Sequence, residues 1–230
     1  SVNRSRPEFI KQLFYSDLED HFPEQKTIAR LCVHGDDARE REFWLQGEKG
    51  AQPYIDFADN DFAQNRYDTL YGSGGHRIYC VELVNEAIWK DIDELKLFVE
   101  FEVAVTKILN IRGIRVLLGS FAPGKLDITN DAEMLAIQPL LEAACWSGNG
   151  LANHQYGAPR IKDDPDWFAL RHARFLDILS RLHLPIPKIW ITEFGALYWK
   201  VNYPSFQSYL EEMFWADSEF QKYPEIVCAS

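Results

Sequence analysis

Two glutamates stand out by position. Glu86 follows the apolar run 78–84 and an asparagine, Asn85, and Glu193 follows Lys188-Ile189-Trp190-Ile191-Thr192. A carboxylate that closes a buried strand lies at the strand's end rather than in the core, and two on strands of one sheet can face each other across a cleft. A carboxyl held protonated beside one held ionised is the pair that glycosidic bond cleavage requires: the acid donates to the leaving oxygen, and the anion attacks or stabilises the oxocarbenium-like carbon. The charge on one disfavours ionisation of the other, which is how a shared pocket splits their pKa values. Asn85 offers an amide to a sugar 2-hydroxyl, and Tyr156 a phenol that can donate to Glu193. His154 stands two residues before Tyr156, while His34 and Asp36 belong to a further strand end. Of the aromatic residues placed to stack on a sugar ring, Trp89, Trp146, Tyr198 and Trp199, the last is favoured because it follows Glu193 closely. Glu82, four residues before Glu86, is read as a structural residue that points into the lower part of a barrel, paired with Arg30 or Arg115.

These groups need a scaffold of alternating strands and helices. β-branched or apolar runs predict strands over 27–34, 78–84, 114–120, 151–156, 188–192 and 225–228. Helical spacing predicts helices over 8–18, from Asp91 or Asp93 to Gly113, over 131–144, after Asp164-Pro165-Asp166, and over 206–214. The stretch 36–60 reads as mostly loop, with a short helix over 62–70. Strands separated by helices imply parallel pairing through right-handed crossovers, either as an open doubly wound sheet or as a (β/α)8 barrel. No glycine-rich phosphate turn follows the first strand, against a nucleotide-binding doubly wound fold. The polar residues collect after the C-terminal strand ends, where a barrel builds its site.

At those ends the sequence resembles the clan of retaining (β/α)8 glycosidases whose acid/base glutamate follows an asparagine on the fourth strand and whose nucleophile ends the seventh. Many members carry Trp-Glu-Ile-Trp-Asn-Glu-Pro on the fourth strand; here the stretch is Val81-Glu82-Leu83-Val84-Asn85-Glu86-Ala87, with both tryptophans and the proline replaced. The seventh-strand pattern Ile-Thr-Glu-Phe-Gly is complete in residues 191–195, and His154-x-Tyr156 occupies the place of a His-x-Tyr common on the sixth strand. The resemblance spans residues 78–196. It implies Glu86 as acid/base, Glu193 as nucleophile, Asn85 as a 2-hydroxyl contact, and His154 and Tyr156 as a supporting pair.

Two rival classes are weighed against this. A metal-dependent barrel hydrolase calls for His-x-His on a strand, and none of the six histidines forms one, so no metal or cofactor is expected. A non-catalytic carbohydrate-binding barrel would be favoured by loss of either glutamate, and both are present.

Composition sets the frame. With 35 acidic and 24 basic residues, a net charge of -11 and no basic run, the surface repels phosphate backbones and anionic lipid, so neither nucleic acid nor membrane is an expected partner. No stretch is apolar enough to span a bilayer, and residues 1–7 lack a signal-peptide core. The chain is expected to be soluble, either cytoplasmic or secreted with its signal already removed. Cys32, Cys80, Cys145 and Cys228 are far apart and are expected to be buried free thiols.

A complete eight-stranded barrel takes about 250 residues. If 78–84 is the fourth strand, 27–34 is the third. The expectation is therefore a single α/β domain over 1–230 of TIM-barrel type, complete or with strands three to eight visible. In the second case another chain or further sequence covers its edges.

Overall fold

The computed structural model describes residues 9–12, 26–30, 37–56, 77–196 and 198–229. They form a mixed α/β fold on an all-parallel sheet whose strands follow one another in sequence order: β1 (Phe9–Gln12), β2 (Lys26–Arg30), β3 (Arg77–Glu82), β4 (Val116–Phe121), β5 (Gly150–Gly157), β6 (Ile189–Ala196) and β7 (Ile226–Ala229). A doubly wound sheet reverses its order at a switch point, and this one does not. With right-handed crossovers, a monotonic order lays every connecting helix on the same face. Among the described residues no ladder joins β7 to β1, so the sheet is open.

Alternation along the strands sorts their side chains. Val81, Val116, Leu118, Leu151, Ile189 and Ile191 pack in the large core shared with the helices. Ile28, Cys80, Leu117, Ala152 and Trp190, one from each of β2 to β6, form a second, smaller core on the other face. The tilt of Trp190 across β5 is possible because Gly150 has no Cβ, which would stand 2.6 Å from the indole.

The helices are α1 (Asp37–Trp44), α2 (Ile92–Ile111), α3 (Asp131–Ala136), α4 (Gln138–Ala144), α5 (Arg171–Arg181), α6 (Trp199–Asn202) and α7 (Phe206–Phe220). Asp91 caps α2, accepting from the Asp93 and Glu94 N–H groups, and its apolar stripe, including Leu95, Phe98, Phe101, Val105 and Leu109, is buried. Arg41 binds both oxygens of Glu94 at 2.7–2.8 Å and ties α1 to α2.

Several expectations are corrected. Residues 9–12, read as part of a helix, pair with β2 from Phe9↔Lys26 to Gln12↔Ala29; a short apolar run fits either period, and the ladder decides. The stretch read as loop holds α1, a 3-10 turn over Gly47–Gly50 and a helical segment at 51–56, because Trp44, Tyr54 and Ile55 bury against α2. The helix predicted over 131–144 breaks at Ile137, just before Pro139. Of the expected buried thiols, Cys80 is buried and Cys145 is exposed, while Cys32 and the Cys228 side chain lie outside the described residues. The helix expected over 62–70 lies outside the described residues.

Candidate active site

Toward the C-terminal ends of β4 to β6 the pairing departs from regular register, and those departures aim the polar groups. On β4 the register with β5 shifts between Leu118 and Phe121, and the residues there, Gly119 and Ser120, have φ of +95° and +37°. A side chain on residue 119 would put its Cβ 2.9 Å from the Phe121 ring, so only glycine fits. On β6 the register with β5 passes from Asn153↔Ile191 to His154↔Glu193, which leaves Thr192 as the extra residue. Strict alternation would send Glu193 to the helix side with Ile191. The bulge turns it to the face where Trp190 and Thr192 already lie.

Glu86 also has a left-handed backbone, φ +46°, and its N–H donates to the Ser120 carbonyl at 3.1 Å. Left-handed conformations at non-glycine residues are strained, and here two occur at adjoining strand ends. Glu102 of α2 holds both ends from behind. Fully buried, it accepts from the Val84 N–H at 3.4 Å on one oxygen and from the Gly119 N–H at 2.8 Å on the other. Burial pushes its carboxyl up to about 8, against those two hydrogen bonds and helped by the charges of Glu82 and Glu40.

Four of the sequence-nominated residues meet. His154 is fully buried, with Nδ1 2.8 Å from Glu86 Oε1 and Nε2 3.7 Å from Glu193 Oε1. The Tyr156 hydroxyl donates to Glu193 Oε2. Burial, that hydrogen bond and the charges of Glu193, Glu86 and Glu82 hold the phenol well above its usual range, so it stays a donor. Glu86, His154 and Glu193 bring one polar atom each to within 4.8 Å of one another, with the two carboxylates partly open to solvent. Asn85 adjoins them, and its buried Oδ1 has no hydrogen-bond partner among the described residues, so it can accept from a ligand hydroxyl.

The cluster is compact enough to consider a shared cation. A cation would compete with the Glu86–His154 and Tyr156–Glu193 contacts, through which the carboxylates already meet proton donors or acceptors. The arrangement suits proton exchange.

The other nominations fare differently. His34 and Asp36 lie outside the described residues, as does the side chain of Trp199, whose backbone begins α6. Trp89 is buried against Phe98 and Phe121, with Lys125 over its ring, so it presents no face to a sugar. Trp146 lies in the turn before β5, at the opposite end of the strands. Tyr198, just after β6, is 81% exposed.

Glu82, the last residue of β3, is fully buried and also meets the site: Oε1 accepts from Ser120 Oγ and, at 3.4 Å, from Thr192 Oγ1, and lies 3.0 Å from His154 Nε2. Arg115 instead lies over the Tyr79 ring, while Arg30 is the register partner of Glu82 on β2. The signal available was parity, since Cys80 and Glu82 share a face with Ala152 and His154.

Comparison of the chain with protein-family models, curated proteins and solved structures finds no match. No helix among the described residues is long and apolar enough to cross a membrane.

Proposed function

We propose that this chain is a glycoside hydrolase that cleaves O-glycosidic bonds of an oligo- or polysaccharide with retention of anomeric configuration. The observation that carries the reading is that carboxylate oxygens of Glu86 and Glu193 lie within 4.8 Å of each other. Direct attack by a carboxylate calls for a separation of about 5–5.5 Å between the two groups, whereas admitting a water between them calls for about 6.5–9.5 Å.

Glu86, as the acid, passes its proton to the leaving oxygen while Glu193 bonds to the anomeric carbon and the glycosidic bond breaks. Glu86, now the base, takes a proton from the water whose oxygen displaces Glu193. Tyr156 binds the Glu193 oxygen that does not attack, which orients the carboxylate and favours its ionised form. Asn85 Oδ1 receives the 2-hydroxyl of the sugar, a contact that strengthens in the transition state.

The scaffold in this reading is a (β/α)8-type barrel over a single domain, with β3 as the fourth strand and β6 as the seventh. A closing strand would then lie between β7 and β1, from this chain or another.

A screen of aryl glycosides and glycans, with the first product followed by NMR, tests the reading. Retention is expected, with activity lost in Glu193→Ala and partly rescued by azide in Glu86→Ala. Inversion of configuration, activity surviving both substitutions, or activity abolished by a chelator would overturn it.

A further inference from the structure

Three carboxyl groups and one imidazole meet at the ends of β3, β5 and β6, yet a double displacement uses only two carboxyls. Glu82 is the third. Its side chain is fully buried, and a single oxygen, Oε1, faces Ser120 Oγ from β4, Thr192 Oγ1 from β6 and His154 Nε2 from β5. An oxygen already receiving two hydroxyl hydrogens is an acceptor, so the hydrogen of its third contact belongs to Nε2. Nδ1, the other ring nitrogen, lies 2.8 Å from Glu86 Oε1.

That geometry gives the Glu86–His154 pair two arrangements with the same number of protons. Either Glu86 is a carboxylic acid against a bare Nδ1, or it is a carboxylate against an imidazolium. We infer that Glu82 is a positioning residue: it holds His154 as the Nε2–H tautomer, so that Nδ1 shares the proton which Glu86 gives to the leaving group and later recovers from water. The inference rests on the glycosidase reading of the site.

The groups facing Glu82 make its charge matter. Ser120 and Thr192 are neutral, Arg30 adjoins it on β2, Glu102 lies behind it on α2, and Glu86, Glu193 and Tyr156 stand beyond His154. A negative charge beside the imidazole favours the imidazolium over the neutral ring. No bond to substrate involves Glu82, and the net reaction still consumes one water.

Two experiments test this on the whole chain. In protein labelled with 15N-histidine, with His154 identified from its absence in His154→Gln, ring-nitrogen NMR should find the neutral ring protonated on Nε2. An Nδ1–H tautomer would overturn the inference. This measurement needs no activity, so it separates failure of the inference from failure of the glycosidase reading, and it does not require any Glu82 variant to fold. In Glu82→Gln the alkaline limb of kcat/KM should move down by about one pH unit. Phenyl glycosides, which need the acid, should lose about tenfold or more, while 2,4-dinitrophenyl glycosides, which do not, should change by about twofold or less. An unmoved alkaline limb, or equal losses for both leaving groups, would sink the idea, because a merely structural role predicts that pattern.

Discussion

Two fully buried imidazoles flank β5 and do opposite things. His154 belongs to the strand and sits between Glu82 and Glu86; His172, on α5, reaches the same strand from the helix side through Gln155. Among the described residues the second ring has no carboxylate hydrogen-bonded to it. Its Nδ1–H donates to Gln155 Oε1 at 3.1 Å, and Phe220 and Tyr223 meet it edge-on with centroids 5.2 and 4.8 Å away. Burial pushes its pKa down to about 4, so it is a neutral packing group. Equal burial thus yields a ring packed among aromatics in one place and, in the proposed function, a proton-exchanging one in the other. The difference is the carboxylates that face both nitrogens of His154.

The sharpest way to break the comparison is to place the same ring at both positions. His154→Phe should lower aryl-glycoside turnover by about 10²–10⁴-fold and remove the imidazole that Glu82 and Glu86 both face, whereas His172→Phe should leave turnover within about twofold. Steady-state kinetics on both purified proteins checks this. Tyr156→Phe removes one hydrogen bond to a charged group without disturbing either imidazole, and should cost about 10- to 100-fold in kcat with KM little changed.

Smaller effects concern pH and stability. Glu102 has its folded-state pKa raised to about 8, so its contribution is fully present below about 4.5 and is lost as pH rises towards 8. Thermal melts of the wild type should therefore show this loss, and Glu102→Gln should have a shallower dependence over that window. His172 works in the other direction: its stability contribution is intact above about 6.5 and is lost as pH falls towards 4, at no more than about 1.4 kcal/mol per pH unit. His172→Phe should remove that acid sensitivity while costing about 1 kcal/mol at neutral pH for the lost Gln155 contact. Equal acid sensitivity in both proteins would contradict the neutral assignment.

The parts of the molecule legible in the sequence are those set by local pattern. The apolar runs of β3 to β7 and the stripe and cap of α2 follow from periodicity, and the nomination of Glu86, Glu193, His154 and Tyr156 follows from their places at strand ends. What escaped was set by pairing. Residues 9–12 are a strand because β2 lies alongside, and α1 is a helix because its Trp44 buries against α2 and its Arg41 finds Glu94. Glu82 reads as structural because nothing in the spacing Glu82-x-x-x-Glu86 reveals that β4 and β6 carry bulges that bring Ser120 and Glu193 to the face where Thr192 lies. A bulge is a one-residue event without a strong compositional mark, apart from a glycine such as Gly119.

The strand order has a consequence for how the chain assembles. Each described strand pairs with its predecessor, so none has to wait for a later strand to be inserted beside it, and the sheet can grow in the direction of synthesis. The carboxylate pair is completed late in that progression. Glu86 is present once β3 is made, but Glu193 joins only with β6, through a ladder with β5 that runs from Leu151↔Ile189 to Gly157↔Ala196. A chain stopped before β6 would carry Glu86, His154 and Tyr156 and still lack Glu193.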